Sequence, residues 1–243
     1  MERFEDLYRI EDKYWWAKAH QKVIISLLES TVNLSSLKRI LDIGCGGGGL
    51  LSRLKSYGQG YGIDLSLKAI KYCKMRQLSN IICGQANSLP IKHESFDVIC
   101  AVELMEHVED EQVLLGEFSR IMKKGAILLI TAPAFNFLFS KHDEWVGHKR
   151  RYTVAGVKTI LSSAGFKIIQ ASYFHMLLFP VLFVMSKWGR FASAAQKKQT
   201  VVELPLFLNQ LLTLLLCAEI PILKQKISLP FGSSVIVLAQ KIR

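Results

Sequence analysis

Nine residues, Leu41-Asp42-Ile43-Gly44-Cys45-Gly46-Gly47-Gly48-Gly49, constrain this chain more than any other stretch. The run Arg39 to Ile43 reads as a strand, and the residues from Gly49 to about 57 read as a helix. Between them lies a turn so rich in glycine that the backbone can take positive φ freely and let a ligand approach the main chain. In an open α/β sheet such a turn sits outside the carboxyl ends of the strands, where ligands bind. The rest of the chain repeats the same alternation. Strands are expected at 61–64, 81–83, 95–103, 126–132, 167–173 and 233–241, and helices at about 2–32, 66–76, 110–123 and 153–164. Helix 110–123 is expected to end on Lys123-Lys124-Gly125, with cations in its last turn and glycine just past it. A loop of roughly twenty residues should follow strand 126–132, and Thr153 should cap the next helix. Alternation of this kind predicts a doubly wound parallel sheet.

Composition narrows the function classes. Apolar residues make up 50% and charged residues 21% of 243, which excludes a disordered, collagen-like or disulfide-scaffold chain. Five cysteines without a CxxC pair argue against a zinc knuckle and for a reducing compartment. The start, MERFEDLYRIEDKYWW, has no apolar h-region, so a signal peptide is not expected and a cytoplasmic location is. Charge is lopsided: residues 1–111 hold 14 basic and 15 acidic side chains, residues 112–243 hold 17 and 5. A basic, apolar half suits an anionic membrane surface or a phosphate-bearing substrate, or is simply a solvated basic face.

The glycine turn fits two templates. Gly44-x-Gly46-x-x-Gly49 matches the dinucleotide fingerprint, but a pyrophosphate on the helix N-terminus disfavours a carboxylate at Asp42. Asp42-x-Gly44-x-Gly46-x-Gly48 matches the loop of S-adenosylmethionine (SAM) methyltransferases, whose donor carries a sulfonium and an ammonium that favour Asp42. Asp64 can accept from both ribose hydroxyls under either template. The segment GQANSLPIKHESFDVICAVELMEHVEDEQVLLGEFSRIMKKGAILLITAP then resembles the class I SAM-dependent methyltransferases throughout. The resemblance covers about residues 38–173 plus the last strand. It implies a Rossmann-like seven-stranded sheet of order 3-2-1-4-5-7-6 with an antiparallel last strand. The implied layout is an N-terminal helical lid (1–37), a SAM-binding core (38–173), an apolar and basic helical insert (174–230) and the final strand (231–243). SAM is the implied cofactor, with S-adenosylhomocysteine as product, held by Asp42, Gly44, Gly46, Gly48, Asp64, Leu65, Gln85, Ala86 and Val102. Gln85 departs from the family, which usually has an acidic residue there for the adenine amino group.

Glu103, Glu106 and His107 follow the fourth strand and can converge if that segment is helical. The spacing resembles ubiquinone-type O-methyltransferases and small-RNA 3′-end methyltransferases, where such a cluster holds a divalent metal that polarises hydroxyls. His142 and His148 are candidates for a further ligand. Similar strings also occur in methyltransferases without a metal, so no metal is assigned and His107 and His148 are taken as candidate catalytic bases. His148-x-Arg150-Arg151-Tyr152-Thr153, with Tyr14-Trp15-Trp16, resembles a bacterial subgroup common in surface-polysaccharide and lipid-modifying pathways. Arg150 and Arg151 can clamp a substrate phosphate or carboxylate, or instead form salt bridges to Glu144. Trp15 and Trp16 read as a lid over SAM or as an anchor for the first helix, with His20 one turn on. His93 and His175 read as surface and packing residues. The apolar stretches 174–185 and 204–223 flank Lys187, Arg190, Lys197 and Lys198, and are expected to pack together or meet lipid without spanning it. The expected reaction is methyl transfer to a hydroxyl of a small, hydrophobic or lipid- or glycan-linked acceptor. An RNA or protein methyltransferase and a silent SAM-binding partner are the alternatives. Nucleic acid is disfavoured because the basic residues are not interleaved with aromatics.

Overall fold

The computed structural model describes residues 11–32, 38–180, 183–184 and 204–242. The expected helix residues 2–10 and the basic residues Lys187, Arg190, Lys197 and Lys198 lie outside them. A helix α1 (Trp15–Thr31) precedes β1 (Arg39–Ile43), and α2 (Gly49–Leu54) leads to β2 (Gln59–Asp64). Then come α3 (Leu67–Met75), β3 (Ile81–Cys83) and β4 (Phe96–Val102). After a 3-10 turn (Met105–His107) follow α4 (Glu111–Ile121), β5 (Met122–Pro133), α5 (Lys141–Val146), α6 (Val154–Ser163) and β6 (Phe166–Phe174). Helices α7 (Leu206–Cys217) and α8 (Ile220–Lys224) precede the closing strand β7 (Ser234–Lys241).

The sheet has the order β3-β2-β1-β4-β5-β7-β6, with β7 antiparallel to both of its neighbours. This is the expected topology. β1 lies between β2 and β4 with Asp42 opposite Gly62 and Cys100, and its apolar residues are buried on both faces, as a central parallel strand requires. On one face Leu114, Leu115 and Phe118 of α4 and Val157 and Leu161 of α6 join the core. On the other, Val23, Ile24, Leu27 and Leu28 of α1 pack with Leu129, Leu223 and Leu238. The parallel strands β1, β2, β4 and β5 all end at one edge, which brings together the glycine turn, Asp64, Val102 and Pro133.

Two local expectations fail. α4 stops at Ile121, and Lys123-Lys124-Gly125 lies inside β5 instead of closing a helix. Met122 pairs with Phe96, Lys123 Nζ is 2.9 Å from Asp97 Oδ1, and Gly125 takes φ +77 at an irregularity in the β4–β5 register. The twenty-residue loop also carries structure: a 3-10 turn (Asn136–Leu138) and α5, whose start is fixed by a Ser140–Asp143 capping box. Thr153 caps α6 as expected, accepting from Gly156 N at 3.1 Å.

Candidate active site

The glycine turn is built for close approach. Gly44, Gly46 and Gly48 all have positive φ, and Gly44 N and Cys45 N both donate to Ile63 O at 2.8 and 3.0 Å. Asp64 accepts from Gly46 N at 2.9 Å and from Ser66 N at 2.8 Å, so the end of β2 is tied to the turn. Asp42 is buried beneath it. Burial, then the neighbouring charges of Glu11 and Asp64, push its pKa up to about 8. Glu11 reaches the same turn from the N-terminal segment, where a Cβ on Gly49 would fall 2.4 Å from its Oε1. Burial raises Glu11 to about 7, and Arg76, which also donates to Gly47 O at 2.7 Å, pulls it only partly back. Three carboxylates thus surround the turn, in which only Cys45 carries a side chain, buried against Cys73. Their mutual repulsion is relieved by a cation, so the residues fit the sulfonium and ammonium of SAM better than a pyrophosphate. Leu65 and Gln85 are exposed, and Ala86 and Val102 half-buried, on segments that flank this turn; Gly84 N donates to Asp64 O at 3.1 Å.

Past β4 the chain does not form the helix on which convergence of Glu103, Glu106 and His107 depends. Glu103 takes φ +49 and turns away, accepting from Thr131 Oγ1 at 3.0 Å. His20 Nε2 lies 3.1 Å from the same hydroxyl and 3.7 Å from Glu103 Oε1, and burial lowers its pKa to about 3. His148 replaces Glu103 in the cluster: ligand atoms of Glu106, His107 and His148 lie within 4.8 Å of one another. His142 is not in that group and stacks on Trp145.

Asp143, which the sequence reading did not single out, organises this second region. It is completely buried. Its Oδ1 lies 2.8 Å from His148 Nδ1, its two oxygens accept from Arg151 Nε and Nη2 at 2.8 and 2.9 Å, and Ser140 donates through both N and Oγ. Burial alone would raise its pKa, but His148, Arg151 and Ser140 outweigh that and hold the carboxyl well below the usual range. With its proton on Nδ1 facing Asp143, His148 presents Nε2 as the acceptor, 3.7 Å from Glu106 Oε1. Glu106 is buried with neither oxygen hydrogen-bonded, and burial, then Glu103, raises its pKa well above the carboxylate range. Burial, then the charge of His148, lowers that of His107.

The arginine clamp does not form. Arg151 is held by Asp143, and Arg150 donates to Glu111 Oε1 at 2.8 Å and Glu109 O at 3.1 Å; Glu144 is the partner of neither. Beyond the ends of β5 and β6 stands an aromatic wall that the sequence reading also missed, although Phe135-x-Phe137-x-Phe139 signals it. Phe135 stacks on Tyr173 at 4.8 Å and on Phe137 at 5.0 Å, and Phe179 joins Phe135 to Phe231. Trp16 lies tilted against His20, ring centroids 4.5 Å apart, and meets His175 edge-on, so it anchors α1. His175 is buried among these rings, as expected of a packing residue, and His93 is exposed.

Residues 41–130 match the profile of a family described as "Methyltransferase domain". A ubiquinone biosynthesis O-methyltransferase of Coxiella burnetii is 30% identical over 149 residues, 55% of this chain and 63% of that protein. The norajmaline N-methyltransferase of Rauvolfia serpentina is 34% identical over 106 residues, 40% of this chain and 36% of that one. The chain therefore spans less than two thirds of the length of these relatives. Among solved structures, a SAM-dependent methyltransferase from Archaeoglobus fulgidus has a TM-score of 0.60 at 20% identity, over 93% of both chains, and so shares the fold.

Proposed function

The chain carries a methyltransferase domain of the class I SAM-dependent family, and from that premise we propose that it methylates a hydroxyl of a small, apolar acceptor, with His148 as the base. SAM, when bound, supplies a methyl group already activated on a sulfonium, so the chain's task is chiefly to position the acceptor. Asp42, Gly44, Gly46, Gly48 and Asp64 would hold SAM, with Leu65, Gln85, Ala86 and Val102 flanking it. The observation that carries the reading is the Asp143–His148 contact at 2.8 Å. It fixes the ring's orientation and tautomer and leaves Nε2 free to take a hydroxyl proton. The wall of Phe135, Phe137 and Phe179 gives an apolar acceptor a surface to lie on and keeps water from the nucleophile. His107 stands beside His148: its ring centroid is 4.8 Å from that of His148. Its lowered pKa keeps it neutral, as a second candidate base.

A second reading rests on Glu106, whose unpartnered carboxylate suits a divalent cation. Glu106, His107 and His148 would hold the ion, which would polarise the acceptor hydroxyl. Methyl transfer to a panel of phenols and lipid alcohols tests both. We expect His148→Gln to lower kcat by about 10²–10⁴-fold while S-adenosylhomocysteine binding is retained. If the wild type loses its activity in excess chelator and regains it with Mg²⁺ or Mn²⁺, the metal reading replaces the base. An unchanged rate in His148→Gln removes both.

A further inference from the structure

Helix α7 is amphipathic the wrong way round for a helix on a water-soluble surface. Its inward face carries Asn209, Thr213 and Leu216, which are buried. Asn209 Oδ1 accepts from Trp15 N at 2.9 Å, Asn209 Nδ2 donates to Lys13 O at 2.7 Å, and Thr213 Oγ1 donates to Asn209 O at 2.7 Å. Its outward face carries Leu206, Phe207, Leu211, Leu214 and Leu215, exposed by 80, 76, 49, 65 and 37%. Ile222 and Ile227 continue that apolar surface past α8. The polar residues thus hold the helix to α1, and the leucines point away from the protein. A contiguous apolar face of this extent marks a site that meets something apolar.

Charge identifies the occupant. From 174 to 230 the sequence has six basic residues (Lys187, Arg190, Lys197, Lys198, Lys224 and Lys226) and two acidic ones, Glu203 and Glu219. Glu219 is 2% exposed, and its Oε1 accepts from Leu177 N at 3.0 Å, so it offers no charge to the surface. Lys13 lies at the Asn209 end of α7, Lys22 beside Cys217, and Lys224 and Lys226 follow directly. A second copy of the chain would set these lysines against the same lysines. An anionic bilayer accepts both leucines and lysines.

We propose that α7 and α8 seat the protein on an anionic lipid surface, lying in the plane of the interface with the Leu206–Leu214 face in the acyl boundary. The stretch Leu206–Lys224 is long and apolar enough to cross a membrane by length and composition. Its hydrogen-bonded inner face and the break between α7 and α8 at Ala218–Glu219 hold it instead along the domain. The docked face and the candidate active site share α1: Trp15 N donates to Asn209, and the Trp16 ring lies against His20 beside Glu103. Docking thus sets the chain's orientation at the surface from which an apolar acceptor would be taken.

Co-sedimentation of the full chain with phosphatidylglycerol vesicles tests this, with phosphatidylcholine vesicles as control. We expect binding to the anionic vesicles alone, reversed by salt, with each lysine contributing about five-fold. Leu211→Glu/Leu214→Glu should lower binding by at least about tenfold, with circular dichroism and S-adenosylhomocysteine affinity unchanged because both side chains are already exposed. Three results would overturn the proposal. They are absence of binding at low salt, retention on the membrane through high salt and alkaline carbonate, and a dimer in solution that the two glutamates dissociate and vesicles do not. Loss of S-adenosylhomocysteine binding by the wild type would count against the methyltransferase reading and leave the lipid result standing.

Discussion

Asp42 keeps its proton to about pH 8 in the free protein and Glu11 to about 7, both above the ordinary carboxylate value of about 4. The folded chain therefore binds these protons more tightly than the unfolded chain. The stability they contribute is complete below about pH 4 and is lost as pH rises through 7 to 8. A cation beside them favours the ionised forms and releases the protons, so its affinity rises over the same interval. We expect the thermal midpoint of the free protein to fall between pH 6 and 9, and Asp42→Asn to flatten the fall. SAM affinity should rise several-fold from pH 6 to 8.5, and that of S-adenosylhomocysteine should rise less because it lacks the sulfonium charge. Calorimetry at the two pH values measures both, and a pH-independent SAM affinity would place Asp42 away from the cation. Asp42, Gly44 and Asp64 are legible in the sequence because strand, turn and carboxylate are close along the chain. Asp143 is not, because its importance comes from a helix start that folds it onto His148 and Arg151. Glu103 misleads because one residue at positive φ turns it from the cluster to Thr131.

At the level of elements, the junction between the glycine turn and α2 is a tight fit. Gly48 has φ +81, and a Cβ there would sit 2.5 Å from Leu78 Cδ1 and 3.0 Å from Cys73 Sγ on and just past α3. Gly147, at the end of α5, has φ +87 and nothing within 4 Å of the same added atom. Gly147→Ala should cost only the left-handed backbone penalty, about 1–2 kcal/mol. Gly48→Ala should cost about 1–3 kcal/mol more from overpacking and also weaken S-adenosylhomocysteine binding. Urea denaturation compares the two, and equal losses would mean that α3 yields to the methyl group. The alternation that fixes this geometry is visible in the sequence as glycine turns between apolar runs. The boundary at Ile121–Met122 is not, since Lys-Lys-Gly satisfies a helix end as well as the strand start it forms. Only the pairing of Met122 with Phe96 decides it.

Across the whole molecule, helix α1 and helix α7 are one unit although nearly the full chain separates them. Asn209 joins them, 9% exposed, with its amide oxygen on Trp15 N and its amide nitrogen on Lys13 O. No sequence pattern announces this, because an asparagine in a leucine-rich helix reads as an exposed polar position and its partners lie 194 and 196 residues away. Asn209→Ala leaves Trp15 N and Lys13 O without partners, a loss of about 1–3 kcal/mol. Since α1 also packs on the sheet through Val23, Ile24, Leu27 and Leu28, the sheet should remain folded while the contact between the helices loosens. Hydrogen exchange should therefore quicken in α7 and in the first turns of α1, and stay unchanged in β1, β4 and β5. Asn209→Asp should restore only the bond from Trp15 N, since a carboxylate cannot donate to Lys13 O, and so give an intermediate rate. Exchange that quickens evenly over the sheet as well would mean that Asn209 supports the global fold and that the two helices are not a separable unit.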